Sequence, residues 1–364
     1  MFCCFVEIVD SSQTIKINRI ITAAIKKKAT DLHLSVGNNP ILRLDDKLYP
    51  LIDEEVITSD FLENLAEGIF SKEERDDLKN NLGITAVHDY GNQIRFKIKA
   101  FYQKKFLNFS FRFIPPFPPA FNDLGLPKAI INLKNLSKGL VIIGGGYDSG
   151  RTTTAVSFVE ELNKTESRYI LTLERPIEFL LTSNKSIIAQ RNIPSDVKSF
   201  EEGLSYCKEE DVDAIMIGEL NSTPDAIVEA LELAAERLVI GIIDAKGAID
   251  AIEKMMFDFS LQEKPRVRAL LANSLECVLI QKLIPRLGGG RILVPEILLV
   301  NEPVRAIIKE DRLYQLNNIL QTSREEGMRG IDRSLAELVS TGEISIDDAM
   351  AYANSKESFK MMMR

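Results

Sequence analysis

Tryptophan is absent, histidine occurs only at His33 and His88, and four cysteines are scattered over 364 residues. Two histidines exclude a histidine-rich metal centre. Cys3, Cys4, Cys207 and Cys277 form no C-x-x-C pair, which points to reduced thiols in a cytoplasmic protein rather than a disulfide framework. No apolar run approaches the roughly 18 residues that a membrane span needs. The apolar start, Met1 to Val9, has no basic stretch before it and is too short for a secretion signal, so it reads as an edge strand or a frayed end. Positive charge is also in deficit. A net charge of −8 weighs against a nucleic-acid surface, because such binding is driven by phosphate neutralisation. What is present is ordinary globular material, long enough for two domains with separate cores.

Along the first third, Ile15, Ile17, Ile20, Ile21, Ala24 and Ile25 follow helical spacing and end in a lysine run. Leu32 and Leu34 alternate with polar residues, Gly37-Asn38-Asn39-Pro40 signals a turn, and Leu42 and Leu44 alternate before an Asp45-Asp46 turn, which predicts a small antiparallel sheet. Residues 59–80 predict two short helices. Ile94, Phe96 and Ile98, then Phe109, Phe111 and Phe113, alternate with polar residues and predict two half-buried strands. Pro115, Pro116, Pro118 and Pro119 make a stiff, extended spacer and the best domain boundary.

Beyond it, four apolar runs read as buried strands: Leu140 to Ile143, Tyr169 to Leu173, Ala214 to Ile217 and Leu238 to Ile243. Helical patterns separate them. Thr223-Pro224-Asp225 is a capped helix start, and the helix after it buries Ala226, Ile227, Ala230, Leu231 and Ala234. Alternation of this kind implies right-handed crossovers, a parallel sheet and ligands at the carboxyl ends of the strands. Glu174, Glu219 and Asp244 follow such ends. From about residue 262 the chain is expected to be mainly helical, interrupted by Gly288-Gly289-Gly290 and Pro295.

The first of these strands runs into Gly145, Gly146, Tyr147, Asp148, Ser149 and Gly150, with Arg151, Thr152 and Thr153 opening a helix. Gly145, Gly150, Arg151 and Thr152 fall at the spacing of the phosphate-binding loop G-x-x-x-x-G-K-[ST], with arginine where lysine belongs. Glycines let backbone N–H groups converge on a phosphate, and the helix N-terminus adds partial positive charge. Thr152 stands where a Mg²⁺-binding hydroxyl is expected. Asp148 opposes this, since two like charges about 4 Å apart cost roughly 4 kcal/mol at an effective dielectric near 20. Arg151 replaces a point charge with a wide planar fork. A glycine-rich turn without a ligand is the bland reading of the same residues.

The segments ATDLHLSVGNNPILRLDDKL, RFKIKAFYQKK, SFRFIPP, TLERPIEF, IMIGEL, LIPRLGGGRILVPEIL and PVRAIIKEDRLYQL occur in one order that resembles the PilT-type retraction ATPases of bacterial type IV pili, among the secretion-motor ATPases. The resemblance spans nearly everything from about residue 14 to residue 350. It implies an α/β protein with a PAS-like α+β domain over 14–114, a proline-rich linker over 115–125, and over 126–364 a RecA-like P-loop domain with a parallel sheet and a helical C-terminal part. It further implies ATP and Mg²⁺ as ligands and a cytoplasmic hexamer, peripheral at the inner membrane under a platform protein. By the same resemblance Thr152 holds Mg²⁺, Glu219 polarises the attacking water, Glu174 belongs to the acidic cluster about the metal, and Arg112 reaches the nucleotide. Lys105 stands where another arginine is usual.

Departures from the family pattern concentrate on the catalytic rim: Asp148, Arg151, Arg175 in place of a carboxylate, Asn221-Ser222 in place of Arg-Asp, and Arg237 and Asp244 where a histidine pair is usual. Phosphoryl transfer depends on positioning and charge stabilisation, so these changes imply a pseudo-ATPase that keeps ring-forming surfaces and serves as an inactive partner, a co-assembling subunit or a regulator. The alternative is an active, atypical ATPase driving retraction, in which Arg175 and Asp148 form a relieving salt bridge. A RecA-like domain acting on nucleic acid, or a small-molecule kinase, would share the loop alone and fits neither the acidic balance nor the match across both domains.

Overall fold

The computed structural model describes residues 11–44, 47–90, 94–323 and 326–363. The readings made for Met1 to Val9, for Cys3 and Cys4, and for the Asp45-Asp46 turn lie outside these residues. The chain divides into two units, one of residues 1–117 with 178–180 and one of residues 118–177 with 181–364.

In the first unit α1 (Ser11–Lys26) precedes β1 (Asp31–Ser35), β2 (Ile41–Leu44) and β3 (Lys47–Pro50). Helices α2 (Ser59–Ile69) and α3 (Lys72–Asn81) lead to β4 (Gly83–Tyr90), β5 (Ile94–Gln103) and β6 (Phe106–Ile114). The strands form one antiparallel sheet in the order β3-β2-β1-β6-β5-β4. The helical stripe Ile17, Ile20, Ile21 and Ala24 is fully buried with Leu32, Leu34, Phe96 and Phe111. Both short helices start where sequence chemistry puts them. The Thr58 hydroxyl accepts from Phe61 N, and Ser71 and Glu74 close a reciprocal capping box.

His33, on β1, is half-buried, and burial pushes its pKa below the ordinary 6.5. Its Nε2 has no hydrogen-bond partner among the described residues. A depressed folded pKa contributes stability that is present above the unfolded value and lost as pH falls through the folded one. Wild-type thermal stability is therefore expected to decline as pH drops below 6.5, and His33→Gln to flatten that decline. Melting curves at about pH 7.5 and about pH 5 check this.

The second unit begins with the short α4 (Lys128–Ile131) and then alternates: β7 (Gly139–Gly145), α5 (Arg151–Thr165), β8 (Tyr169–Glu174), β9 (Ile187–Asn192), α6 (Phe200–Glu209), β10 (Ala214–Ile217), α7 (Pro224–Ala234) and β11 (Leu238–Asp244). Next come α8 (Ala248–Lys254), α9 (Lys264–Ser274), β12 (Leu275–Pro285) and β13 (Arg291–Leu299). Five helices end the chain: α10 (Glu302–Lys309), α11 (Leu316–Thr322), α12 (Ile331–Ser340), α13 (Ile346–Tyr352) and α14 (Lys356–Met362). The sheet order is β13-β12-β7-β11-β10-β8-β9.

Every pairing in this sheet is parallel except β12 with β13, so the sheet is mixed rather than parallel throughout. That corrects the helical expectation for the region from residue 262. Its apolar run is buried as β12, and Gly288, Gly289 and Gly290, all at positive φ, make the turn back into β13. Pro295 is accommodated because β13 is an edge strand, where a missing N–H need not interrupt a ladder. The final helices close a small core of their own, with Ile331, Leu335 and Phe359 against Ile284 and Val294. Among the described residues no helix is long and apolar enough to cross a membrane.

Candidate functional site

β7 is buried along its whole length between β11 and β12, and its end feeds the glycine loop directly into α5. The helix docks on the sheet through Ala155, Val156, Val159 and Leu162, the four positions expected from sequence. Its first intrahelical bond runs from Thr154 N to Gly150 O, at 3.0 Å. The earlier N–H groups of Arg151, Thr152 and Thr153 therefore face outward with the helix dipole behind them, which is the geometry of an anion cradle.

The loop is held from below by β12. The buried Gln281 donates through Nε2 to Ser149 O at 2.7 Å, and Ser149 Oγ donates to Gly146 O at 2.9 Å. Gly145 sits at φ +155°, where an added Cβ would lie 2.5 Å from Gln281 O, so glycine is obligatory there. Tyr147 is exposed at the tip of the loop.

Two charge relationships differ from the expected ones. Asp148, at φ 59° where glycine is the default, does not pair with Arg175; its Oδ2 lies 2.6 Å from Nη1 of Arg291, the first residue of β13. The predicted repulsion of a triphosphate by Asp148 is thereby offset within the protein. Arg175 instead grips Glu219. Its Nε donates to Oε1 at 3.2 Å and its Nη2 donates to Oε2, a bidentate fork. The guanidinium also stacks over Phe200 at 5.5 Å, and the hydrogen bonds it donates to Glu219 hold its pKa above the ordinary range.

Parallel pairing puts Gly145, Glu174, Glu219 and Asp244 on one rim, at the carboxyl ends of β7, β8, β10 and β11. Glu174 is buried, and its Oε1 accepts from Thr172 Oγ1 at 2.7 Å and from Gln190 Nε2 at 3.1 Å. Arg151 Nη1 lies 3.9 Å from Asp244 Oδ1, a loose contact with a mostly exposed carboxylate. Arg237 does not belong to this rim. It precedes β11 by one residue, about 20 Å of strand away from Asp244, and its Nη1 donates to Cys207 O at the end of α6. Arg112 lies in the first unit on β6, where Nε donates to Asp31 Oδ1 at 2.9 Å.

Sequence reasoning missed Gln281 and Arg291. A glutamine inside the apolar run Val278 to Ile284, and an arginine directly after three glycines, were the available signals.

Comparison with known proteins follows the same lines. A family profile described as type II/IV secretion system protein matches residues 125–289. The type IV pilus retraction ATPase PilT of Pseudomonas aeruginosa is 31% identical over 348 residues, covering 94% of this chain and 99% of that protein. The type IV pilus ATPase PilU of the same organism is 28% identical over 350 residues, covering 95% of this chain and 91% of PilU. A crystal structure of the pilus retraction motor PilT with bound ADP superposes with a TM-score of 0.82 at 31% identity, covering 95% of this chain and 99% of that one.

Proposed function

Because the chain belongs to the PilT family of type IV pilus retraction ATPases, we propose that it is a pilus-motor subunit that binds ATP and hydrolyses it slowly or not at all. The observation that carries this reading is the Arg175–Glu219 fork standing beside a phosphate loop whose backbone is intact.

Binding and hydrolysis ask different things of the rim. Binding needs backbone donors and a cation, and the loop, the α5 N-terminus and Arg151 supply them. Hydrolysis also needs a carboxylate available to orient water, together with charge stabilisation at the phosphoryl group. Here both oxygens of Glu219 are taken by a cation standing where the family has an acid. In this assignment Thr152 would hold Mg²⁺, Glu174 would belong to the acidic group around it, and the metal would supply charge neutralisation at the phosphates. The residues fit the phosphates better than they fit turnover.

Near-complete coverage by a retraction ATPase supports assembly as a homohexamer or alongside an active motor, on the cytoplasmic side against an inner-membrane platform protein. The net charge of −8 supports a partner other than nucleic acid. One observation favours the alternative of a working, atypical motor: Arg291 removes the charge objection that Asp148 raised.

Titration of the purified protein with a fluorescent ATP analogue and Mg²⁺, followed by a turnover assay, tests the reading. The expected result is micromolar binding with little phosphate release. Failure to bind overturns it, and brisk turnover abolished by Glu219→Gln moves the assignment to the active motor.

A further inference from the structure

The hairpin of β12 and β13 touches the phosphate loop at three places: Gln281 holds Ser149 O, the Leu283 side chain lies beneath Gly150, and Arg291 meets Asp148. The hairpin turn is itself fixed. Arg286 Nε donates to Glu343 Oε2 at 2.6 Å, and Leu287 N donates to Glu343 O at 2.8 Å. Arg291 is therefore presented to the loop by a braced element, and only about a quarter of either side chain in the Asp148–Arg291 pair is exposed. Partly buried charges are screened little by solvent, so the pair and its loss are both strongly felt.

We infer that Arg291 is a positioning residue for nucleotide: it holds the Asp148 carboxylate aside from the phosphate cradle and cancels its charge, so that a loop carrying an acid still accepts an anion. Asp148 tolerates the left-handed backbone that the turn demands, and Arg291 supplies the electrical neutrality that a glycine would have provided. This rests on the reading of the loop as a nucleotide site.

The test is a double-mutant cycle on the full chain, read as affinity for the fluorescent ATP analogue with Mg²⁺. Arg291→Ala is expected to weaken binding by about thirtyfold or more, because the carboxylate loses this cation beside the phosphates. In an Asp148→Asn background the same change is expected to cost less than about threefold, and Arg291→Lys, which keeps the charge, to retain most of the affinity. Equal losses in both backgrounds, or no loss in either, overturn the inference while leaving nucleotide binding in place. If neither wild type nor Asp148→Asn binds, the nucleotide reading falls and takes this inference with it.

Discussion

Arg175→Asp is expected to raise ATP turnover by about tenfold or more, and adding Glu219→Gln to abolish the gain. The wild-type fork joins two side chains that are each roughly half exposed, 51% and 42%. Pairs of that kind contribute only about 0–1 kcal/mol, so the grip on Glu219 alone accounts for a factor of at most roughly five. The rest of the expected change comes from charge. Arg175 puts a cation where the family pattern has a carboxylate, and reversing it restores an acid beside Glu174 and Glu219 on the same rim. Arg175→Ala separates the two contributions, because it opens the fork without adding an acid. It is expected to give the smaller rise, at most roughly fivefold. Steady-state phosphate release, with analogue affinity measured in parallel, checks this series. Turnover unchanged in Arg175→Asp at unaltered affinity would mean that the fork is not what holds hydrolysis back.

The strand-loop-helix from Leu140 to Leu162 was legible because its signals are local. A four-residue apolar run, glycines at fixed offsets and a 3.6-residue apolar stripe each act within one turn or one strand. The capped start at Thr223 was legible for the same reason, and Thr223 Oγ1 does accept from Ala226 N. The run from Leu275 to Pro285 was not. A short continuous apolar stretch fits a buried strand and a buried helix equally well, and its pairing partners lie on β7 and β13. β9 escaped for a related reason: it is an edge strand whose residues are all partly or fully exposed, so no alternation marks it.

The ion pairs were the least legible features. Asp148 and Arg291 are 143 positions apart, and Arg175 and Glu219 are 44 apart. No spacing rule connects residues that only the sheet order brings together. Composition at the rim showed that charges had changed. Which charge cancels which depends on the hairpin that the helical expectation had hidden.

Gly145→Ala is expected to destroy the site, while Gly146→Ala, one residue on, leaves the fold untouched. At Gly145 a Cβ would lie 2.3 Å from Ser149 Oγ and 2.5 Å from the Gln281 carbonyl oxygen, and the residue holds φ +155°. The serine hydroxyl can rotate away. The carbonyl cannot, because it belongs to β12 opposite the last residue of β7. Backbone strain of about 1–3 kcal/mol adds to an overpacking cost of about 1–3 kcal/mol, and the loop must shift to relieve them. At roughly 2–4 °C per kcal/mol for a domain of this size, Tm falls by about 10 °C, and analogue binding is lost with the displaced cradle. At Gly146 no atom lies within 4 Å of an added Cβ and φ is ordinary, so the change stays within about 0.5 kcal/mol and Tm barely moves. Thermal melts of both variants, with the analogue titration, read the contrast directly. Equal Tm values for the two would contradict the placement of Gly145 against β12, on which the whole geometry of the loop depends.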